Sequence, residues 1–231
     1  MEQKKRLVVL TGAGMSAESG LATFRGAGGM WNNERVEDVA TPEAFYRNPR
    51  KVLDFYNYRR RELLKVEPNE GHRILVDLEK TFDVRVVTQN VDNLHERAGS
   101  THVIHLHGEL MKARSTGDEQ AVFEMSKEKP EIYVGDKCSK GFQLRPHIVW
   151  FGEAVPEFEN AVAEVEKADV LLIIGTSMQV YPAAGLIDYA PANCPIYLID
   201  PNDVPVHHRV KFIQKGASEG MKEFLTLIKS V

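Results

Sequence analysis

The sequence predicts an α/β fold, a Rossmann-like parallel sheet with helices on both faces plus a small inserted module. Short β-branched runs alternate with helical stretches, which is the pattern of a mostly parallel sheet covered by helices. Residues 170–174 are apolar at every position, as expected of a central strand that is buried on both faces. A glycine-rich turn directly follows the first predicted strand, where folds of this class approach a ligand most closely.

The individual elements follow from local patterning. Runs rich in Val, Ile and Leu predict strands over residues 7–10, 84–88, 103–106, 148–150, 170–174, 196–199 and 210–213. Helical periodicity of the apolar residues predicts helices over residues 49–66, 71–81, 156–167 and 217–229. Residues 26–66 and 112–144 interrupt the alternation, and we predict that they pack together as a small module. The predicted organisation is one domain over 1–231, with a Rossmann-like core at 1–29, 67–111 and 145–231 and a small inserted module at 30–66 and 112–144.

Composition excludes several classes of protein. The 231 residues carry 29 basic and 33 acidic side chains, a formal charge of −4, which disfavours a nucleic-acid partner. The longest apolar run is too short to cross a bilayer, and the charged N-terminus does not resemble a secretory signal. Two cysteines lie far apart, so the sequence contains no disulfide framework. We therefore expect a cytoplasmic monomer with no nucleic-acid or membrane partner.

The glycine-rich turn reads GAGMSA at residues 12–17, a GxGxxA pattern. In a strand–turn–helix setting its glycines let the backbone approach a pyrophosphate at a helix N-terminus. A dinucleotide-dependent oxidoreductase would add a second strand and an acidic residue about 20 residues further on. Residues 25–33 read instead as a loop, which argues against hydride transfer.

Polar clusters follow four predicted strands. The residues concerned are Gln89, Asn90 and Asp92; His105 and His107; Gly175, Thr176 and Ser177; and Asp200. Because the carboxyl ends of parallel strands meet at one edge of a sheet, we expect these side chains to face one shared ligand.

Five motifs carry a resemblance to a known family. They are GAGMSAESGLATFR at 12–25, TQNVDNLH at 88–95, LHG at 106–108, RPHIVWFGE at 145–153 and GTSMQVYP at 175–182. In these stretches, and over nearly its whole length, the chain resembles the sirtuins, which are NAD-dependent protein-lysine deacylases. The resemblance implies a cleft between the core and the small module that takes NAD and an extended acyl-lysine protein substrate.

Carried over position by position, the resemblance implies a set of site residues. The catalytic residues would be His107, Asn90 and Asp92. The cofactor-binding residues would be Gly12, Ala13, Gly14, Ser16, Ala17, Phe24, Arg25, Gln89, Asn90, Asp92, His107, Gly175, Thr176, Ser177, Asp200 and Ala217. The family usually has Asn at the position of Asp200, a change that matters only if the contact is made by the side chain.

The implied mechanism uses His107 as a general base. The acyl oxygen of the modified lysine attacks the anomeric carbon of NAD and expels nicotinamide, after which His107 helps a ribose hydroxyl to attack the imidate. Water then completes the release of lysine and O-acyl-ADP-ribose. A histidine pKa near neutrality suits this task, which typically contributes about 10²–10⁴-fold. The other histidines, including His105, are interpreted as core or surface residues, and His147 as structural.

The resemblance also implies how a substrate binds. Val149, Phe151, Gly152 and Glu153 would pair with the substrate backbone. Such pairing recognises the main chain of the substrate rather than its side chains. Tyr56 and Arg59 are three apart on a predicted helix and together suit a carboxylate, although three consecutive arginines at 59–61 are also typical of a solvated basic face. A Tyr-x-x-Arg pair and a small residue at Ala40 resemble the desuccinylase/demalonylase subclass (class III). We expect removal of succinyl and malonyl groups, with some deacetylase activity.

The chain departs from the family at its zinc site. Most sirtuins carry two Cys-x-x-Cys pairs in the small module, but residues 114–118 read RSTGD and residues 135–139 read GDKCS. We expect no zinc. Three alternatives remain open: a protein ADP-ribosyltransferase that uses the same cleft, a non-catalytic NAD-sensing module, and an NAD oxidoreductase, which the missing second strand disfavours.

Overall fold

The computed structural model describes residues 4–22, 30–31, 34–118, 120–176, 182–204 and 209–228. Its strands are β1 Arg6–Thr11, β2 Met30–Trp31, β3 Glu34–Arg35, β4 Asp83–Thr88, β5 Val103–His105, β6 Gly108–Ser115, β7 Val122–Glu124, β8 Leu144–Ile148, β9 Val170–Ile174, β10 Ile196–Ile199 and β11 Val210–Ile213. Its α-helices are α1 Ala13–Ala17, α2 Val36–Val39, α3 Pro42–Arg47, α4 Pro49–Leu63, α5 Glu70–Leu78, α6 Leu94–Ala98, α7 Phe158–Val165 and α8 Ala217–Ile228, and a 3₁₀-helix covers Ala183–Tyr189.

Six strands form one parallel sheet in the order β11-β10-β9-β1-β4-β5. The chain moves outward from β1 through β4 to β5, and from β9 through β10 to β11 on the other side. The strand order therefore reverses between β1 and β9, which is where open sheets of this class bind ligands. The predicted α/β class with a Rossmann-like parallel sheet is confirmed.

Both faces of this sheet are covered by helices. Alternate side chains of β1 point to opposite faces, so that Leu7 and Val9 join one buried cluster and Val8 and Leu10 join another. Side chains of α5 and α8 complete the first cluster, and those of α7 and the 3₁₀-helix complete the second. All five residues of β9 are buried because both of its faces lie under helices.

A second, smaller sheet is antiparallel, with strand order β7-β6-β8. The predicted strand over residues 148–150 is wrong, because the strand covers Leu144–Ile148 and pairs with β6 in this small sheet. Residues 149 and 150 leave the strand to enter a turn. The small sheet straddles the predicted boundaries at residues 111/112 and 144/145, and the division into core and module stays a prediction.

The helices α2, α3 and α4 pack against the small sheet through a third buried cluster. Tyr56 and Leu63 of α4 lie there beside Leu110 of β6 and Ile148 of β8. Asn48 ends α3 and begins α4, and its side chain accepts a hydrogen bond from the Lys51 N–H. None of the helices in the described part of the chain is long and apolar enough to span a bilayer.

A buried pair of histidines ties α5 to α6 and predicts acid sensitivity. The His72 Nδ1 atom accepts from the Asn69 N–H at 3.3 Å, and the His72 and His95 ring centroids are 4.8 Å apart. Burial lowers the pKa of His72 from 6.5 to about 4 and lowers the pKa of His95 well below its usual value. As the pH falls below 6.5, the unfolded chain therefore gains protons that the folded chain does not, and stability is lost.

We expect His72→Gln to reduce this acid sensitivity. Glutamine at this third helical position can still accept the Asn69 N–H in the capping box, but it does not titrate. Between about pH 7.5 and about pH 5, the wild type should lose about 2 kcal/mol more unfolding free energy than the variant. Urea unfolding at both pH values measures the difference, and the exposed His102→Gln is the control that should behave as wild type. Equal losses in wild type and His72→Gln would refute the assignment.

Candidate active site

Two glycine-containing turns interlock at the point where the strand order reverses. The Gly12 N–H donates to the Ile174 carbonyl at 2.9 Å, and the Gly14 N–H donates to the Gly175 carbonyl at 2.8 Å. A Cβ on Gly14 would lie 2.5 Å from the Gly175 Cα, and Gly175 has a φ of +62°. Glycine is therefore required in both turns. Because the Gly14 N–H is bonded to Gly175, its task here is to join the two turns.

Asn90 is held from several directions beside these turns. Its side-chain Nδ2 donates to the Gly12 carbonyl at 2.9 Å and to the Ser16 hydroxyl oxygen at 3.2 Å. Its N–H donates to the Thr88 hydroxyl at 3.0 Å, and its carbonyl faces His105 Nδ1 at 3.0 Å. The structure therefore brings together the predicted residues Gly12, Ser16 and Asn90, which the sequence separates by up to 78 positions.

Asp92 lies in the same buried group. Its Oδ1 atom accepts the Leu94 N–H at 3.1 Å, and the Ser16 hydroxyl hydrogen-bonds its carboxylate. Burial raises the pKa of Asp92, while these two hydrogen bonds and the positive charges of His105 and Arg59 oppose the increase. Asp92 is a buried carboxylate whose charge depends on its neighbours.

Gln89 connects the loop after β4 to the loop after β9 at the same edge of the sheet, because its Nε2 donates to the Thr176 hydroxyl at 3.2 Å. Ala13 is half-buried in α1, while Ala17 is exposed at the end of that helix. Ala217 is buried as the first residue of α8. The predicted residues Phe24, Arg25 and Ser177 lie outside the described part of the chain.

Asp200 follows β10 and is buried. Its Oδ1 atom accepts from the Asn202 N–H at 2.9 Å and from the Asn202 side-chain Nδ2 at 3.0 Å. One carboxylate oxygen of Asp200 therefore closes the turn after β10. Its contact with a cofactor stays a prediction.

His107 lies just before β6 in a half-buried position. Its Nδ1 atom lies 3.0 Å from the Gln89 carbonyl, which can only accept a hydrogen bond, so Nδ1 carries the proton. Burial lowers the pKa of His107, although the Gln89 carbonyl opposes this, and the ring is neutral at neutral pH. The Nε2 lone pair is then the basic atom, and none of the hydrogen bonds among the described residues engages it.

The turn after His107 explains the histidine–glycine sequence. Gly108 has a φ of +78°, and a Cβ on it would collide with the His147 carbonyl. Only glycine lets the chain turn there and enter β6 beside β8.

A second polar group joins α4 to the turn after β8. The Trp150 Nε1–H donates to the Tyr56 hydroxyl oxygen at 2.9 Å, and Tyr56 is fully buried. Burial raises the pKa of Tyr56 to about 12, against the opposing charge of Arg59 and the hydrogen bond from Trp150. Burial lowers the pKa of Arg59 to about 10, which leaves its guanidinium charged at neutral pH. Ala40 is buried in the same cluster as Tyr56 and Trp150.

Glu153 organises the turn that contains Trp150. Its carboxylate accepts from Arg145 at 2.7 and 3.0 Å, from Arg114 at 3.0 and 3.1 Å, and from the Trp150 N–H at 2.7 Å. The Arg145 guanidinium also lies 3.4 Å from the centre of the Trp150 ring. Although burial opposes it, the Arg145 hydrogen bond leads the interactions that lower the pKa of Glu153 below its usual value.

The main chain of this turn is partly used within the protein. The Val149 N–H donates to the His107 carbonyl at 2.9 Å, and the Phe151 N–H donates to the Ala40 carbonyl at 3.0 Å. A substrate strand would therefore have to pair with other main-chain groups of the turn. Phe151 is 46% exposed and Gly152 is open to solvent, and their pairing with a substrate stays a prediction.

Sequence reasoning missed two contributors to this site. Trp150 hydrogen-bonds the Tyr56 hydroxyl. Its position in the RPHIVW motif is the sequence signal that could have indicated a role in the site. His105 was interpreted as a core or surface residue, yet it contacts both Asn90 and Glu96. No local sequence pattern indicates the Glu96 contact, because the two residues lie nine positions apart on different elements.

The fold and this site define a nucleotide-binding enzyme of the Rossmann type. Buried amide, hydroxyl and carboxylate groups gather where the strand order reverses, which is the place at which open sheets of this class bind nucleotides. A neutral histidine base and a charged arginine lie beside them.

Comparisons with known proteins identify the family. The Sir2 family profile matches residues 12–182, and the chain belongs to the Sir2 family. It is 58% identical to an NAD-dependent protein deacylase of Bacteroides thetaiotaomicron, over 97% of this chain and 98% of that protein. It is 48% identical to an NAD-dependent protein deacylase of Helicobacter pylori, over 96% of both chains. A solved Sir2 homologue–NAD complex superposes with a TM-score of 0.85 at 40% identity, covering 98% of this chain and 90% of that one.

Proposed function

We propose that this chain is an NAD-dependent protein-lysine deacylase that prefers acyl groups ending in a carboxylate, succinyl and malonyl, and that also removes acetyl. Its membership of the Sir2 family and the names of relatives at 58% and 48% identity support the deacylase activity. NAD is consumed as the co-substrate. It supplies the anomeric carbon that receives the acyl oxygen and the nicotinamide that leaves.

The protein's own groups have separate tasks in this reaction. Asn90 and Ser16 form a rigid polar wall, since each is hydrogen-bonded within the site. Asp92 contributes a negative charge where positive charge develops during bond cleavage. The Nε2 atom of His107 accepts the proton of a ribose hydroxyl, because the Gln89 carbonyl holds the other ring nitrogen protonated.

The preference for a carboxylate rests on one observation, the hydrogen bond from Trp150 Nε1–H to the Tyr56 hydroxyl oxygen. This bond uses the oxygen as an acceptor, so the phenol proton remains to be donated. Because burial raises the pKa of Tyr56 to about 12, the phenol keeps that proton. One helical turn away, Arg59 supplies a positive charge and several N–H donors. A phenol O–H and a guanidinium together match the two oxygens of a carboxylate.

The remaining expectations on partners and location belong to the same proposal. The substrates are acyl-lysine proteins, and the enzyme recognises their main chain rather than their side-chain sequence. The enzyme acts as a cytoplasmic monomer without a membrane partner, and its net charge of −4 disfavours a nucleic-acid partner.

The proposal is tested with purified protein, NAD and matched peptides that carry succinyl-, malonyl-, acetyl- or unmodified lysine at one position. Nicotinamide release and peptide mass are followed together. We expect nicotinamide to appear in step with loss of the acyl group, with higher kcat/KM for succinyl than for acetyl. Transfer of ADP-ribose to protein without loss of an acyl group would point to the ADP-ribosyltransferase. Binding of NAD without turnover would point to the sensing module.

We also expect the small module to fold without zinc. The described residues contain no cluster of three or more His, Cys, Asp or Glu side chains that could hold a metal. Ser115 and Cys138 contact each other at 3.4 Å, and Lys140 pairs with Asp118 at 2.6 Å, so these segments are joined by direct contacts. Elemental analysis should find well under one zinc per chain, and a chelator should leave the unfolding temperature unchanged. Stoichiometric zinc would contradict this prediction.

A further inference from the structure

The first histidine of the IHLHG segment at residues 104–108, His105, lies behind the site rather than in it. His105 ends β5, and only 7% of its side chain is exposed. Its Nε2 atom lies 2.7 Å from a carboxylate oxygen of Glu96 on α6, and its Nδ1 atom lies 3.0 Å from the Asn90 carbonyl oxygen. Both partners only accept hydrogen bonds when the carboxylate is ionised. Two satisfied bonds therefore require a proton on each ring nitrogen, which makes His105 a cation.

His107 differs from His105 in this respect. One of its nitrogens faces the Gln89 carbonyl, and no carboxylate faces the other among the described contacts. Two histidines separated by a single residue thus hold different protonation states. A site in which one group is charged and its neighbour is neutral and basic is a common arrangement in acid–base chemistry.

We propose that Glu96 and His105 form a positioning pair, in which the imidazolium fixes the Asn90 carbonyl and places a positive charge behind Asp92. Asn90 is the residue whose amide crosses to Gly12 and Ser16, so a shift of its backbone would move that polar wall. Asp92 follows two residues later and is held by the Leu94 N–H at the start of α6, the helix that carries Glu96. This role rests on the deacylase activity proposed above.

The charges around His105 support its cationic form. Glu96 on α6 and Glu109 on β6 are the negative groups that face it, His95 on α6 is a neutral neighbour, and Asp92 lies on the loop between β4 and α6. Burial lowers the pKa of His105, but the hydrogen bond and charge of Glu96, with Glu109 and the Asn90 carbonyl, outweigh it and raise the pKa overall. The His105 charge in turn opposes the increase that burial causes in the pKa of Asp92.

The protonation state can be tested without any substrate. Imidazole ¹⁵N resonances of the whole protein should show both His105 nitrogens protonated at about pH 7.5, while His107 is neutral with its proton on Nδ1. Glu96→Gln keeps an acceptor for Nε2 but removes the negative charge, so His105 should lose its proton at a lower pH in this variant. A neutral His105 in the wild type would overturn the proposal, whatever the outcome of the deacylase assay.

The positioning role is tested by the pH dependence of kcat/KM, with the acyl peptide that the wild type turns over best. His105→Gln removes the positive charge, so the pKa of Asp92 should rise and the acidic limb should move up by about one pH unit. Glu96→Gln should instead move the alkaline limb down, because the imidazolium deprotonates earlier. The loss of kcat/KM in His105→Gln should therefore depend on pH, reaching about tenfold below the shifted acidic limb and becoming smaller above it.

A purely structural role would give a different result. It would lower kcat/KM by the same factor at every pH, in proportion to the loss of folded protein measured by thermal unfolding. His102→Gln, an exposed histidine one residue before β5, is the matched control and should keep the wild-type profile. Should His105→Gln fail to fold, Glu96→Gln carries the test alone. A uniform loss or an unchanged profile in Glu96→Gln would overturn the proposal.

Discussion

Replacing His107 with alanine should reduce deacylation by about 10²–10⁴-fold, the usual contribution of a positioned general base. The Nδ1 proton of His107 is committed to the Gln89 carbonyl, so only Nε2 can act as a base, and alanine offers no substitute. Acyl-peptide mass and nicotinamide release measure the loss under saturating NAD. NAD affinity, measured by calorimetry, should change only a few-fold, because Asn90 and Ser16 keep their hydrogen bonds to each other.

The control for this substitution is His102→Ala, which removes an exposed imidazole. It should leave the rate unchanged. A His107→Ala variant that is folded, binds NAD and deacylates within threefold of wild type would exclude His107 as the base. The proton would then have to leave the ribose hydroxyl by another route, for which the described residues offer no equally placed imidazole.

Arg59→Met should remove the preference for succinyl-lysine. Methionine keeps much of the apolar length of the side chain but loses the guanidinium, and a hydrogen bond to a charged group is worth about 1.5–3 kcal/mol. We therefore expect kcat/KM for a succinyl peptide to fall by about 10–150-fold. Acetyl-lysine has no carboxylate for Arg59 to bind, so kcat/KM for the matched acetyl peptide should stay within about threefold.

The same helix provides a matched control for Arg59. Arg61 is partly exposed and pairs with Glu131 at 3.3 Å, so Arg61→Met removes an arginine from α4 without touching Tyr56 or Trp150. It should leave the ratio of succinyl to acetyl activity unchanged. Equal losses on both peptides in Arg59→Met would instead show that Arg59 supports the fold of the site and does not select the acyl group.

The parallel sheet could be predicted closely because burial on both faces leaves a clear signal. Residues 170–174 and 196–199 are apolar runs, and the structure forms strands over these residues. The strand over Gly108–Ser115 was missed, because one of its faces is only half-buried and carries charged residues such as Lys112. Its partner β8 was predicted at residues 148–150 but covers Leu144–Ile148. The aromatic residues after Ile148 resemble a strand in sequence but enter a turn.

The site could be predicted by residue type but not by partner. Motifs indicated Asn90, Asp92 and His107, yet nothing in the sequence states that the Ser16 hydroxyl bridges the first two. That contact depends on the loop after β1 and the loop after β4 meeting at one edge of the sheet, 74 residues apart. The cationic state of His105 is likewise a property of contacts made across two elements.

The network around Glu153 has a consequence for substrate affinity. One carboxylate joins Arg114 of β6, Arg145 of β8 and the Trp150 N–H, so the turn over residues 149–153 shares the rigidity of the small sheet. A binding surface that is ordered before its ligand arrives does not lose conformational entropy on association. If a substrate strand pairs with this turn as proposed, little of the interaction energy is consumed in ordering the enzyme's own chain, whatever the sequence of the peptide.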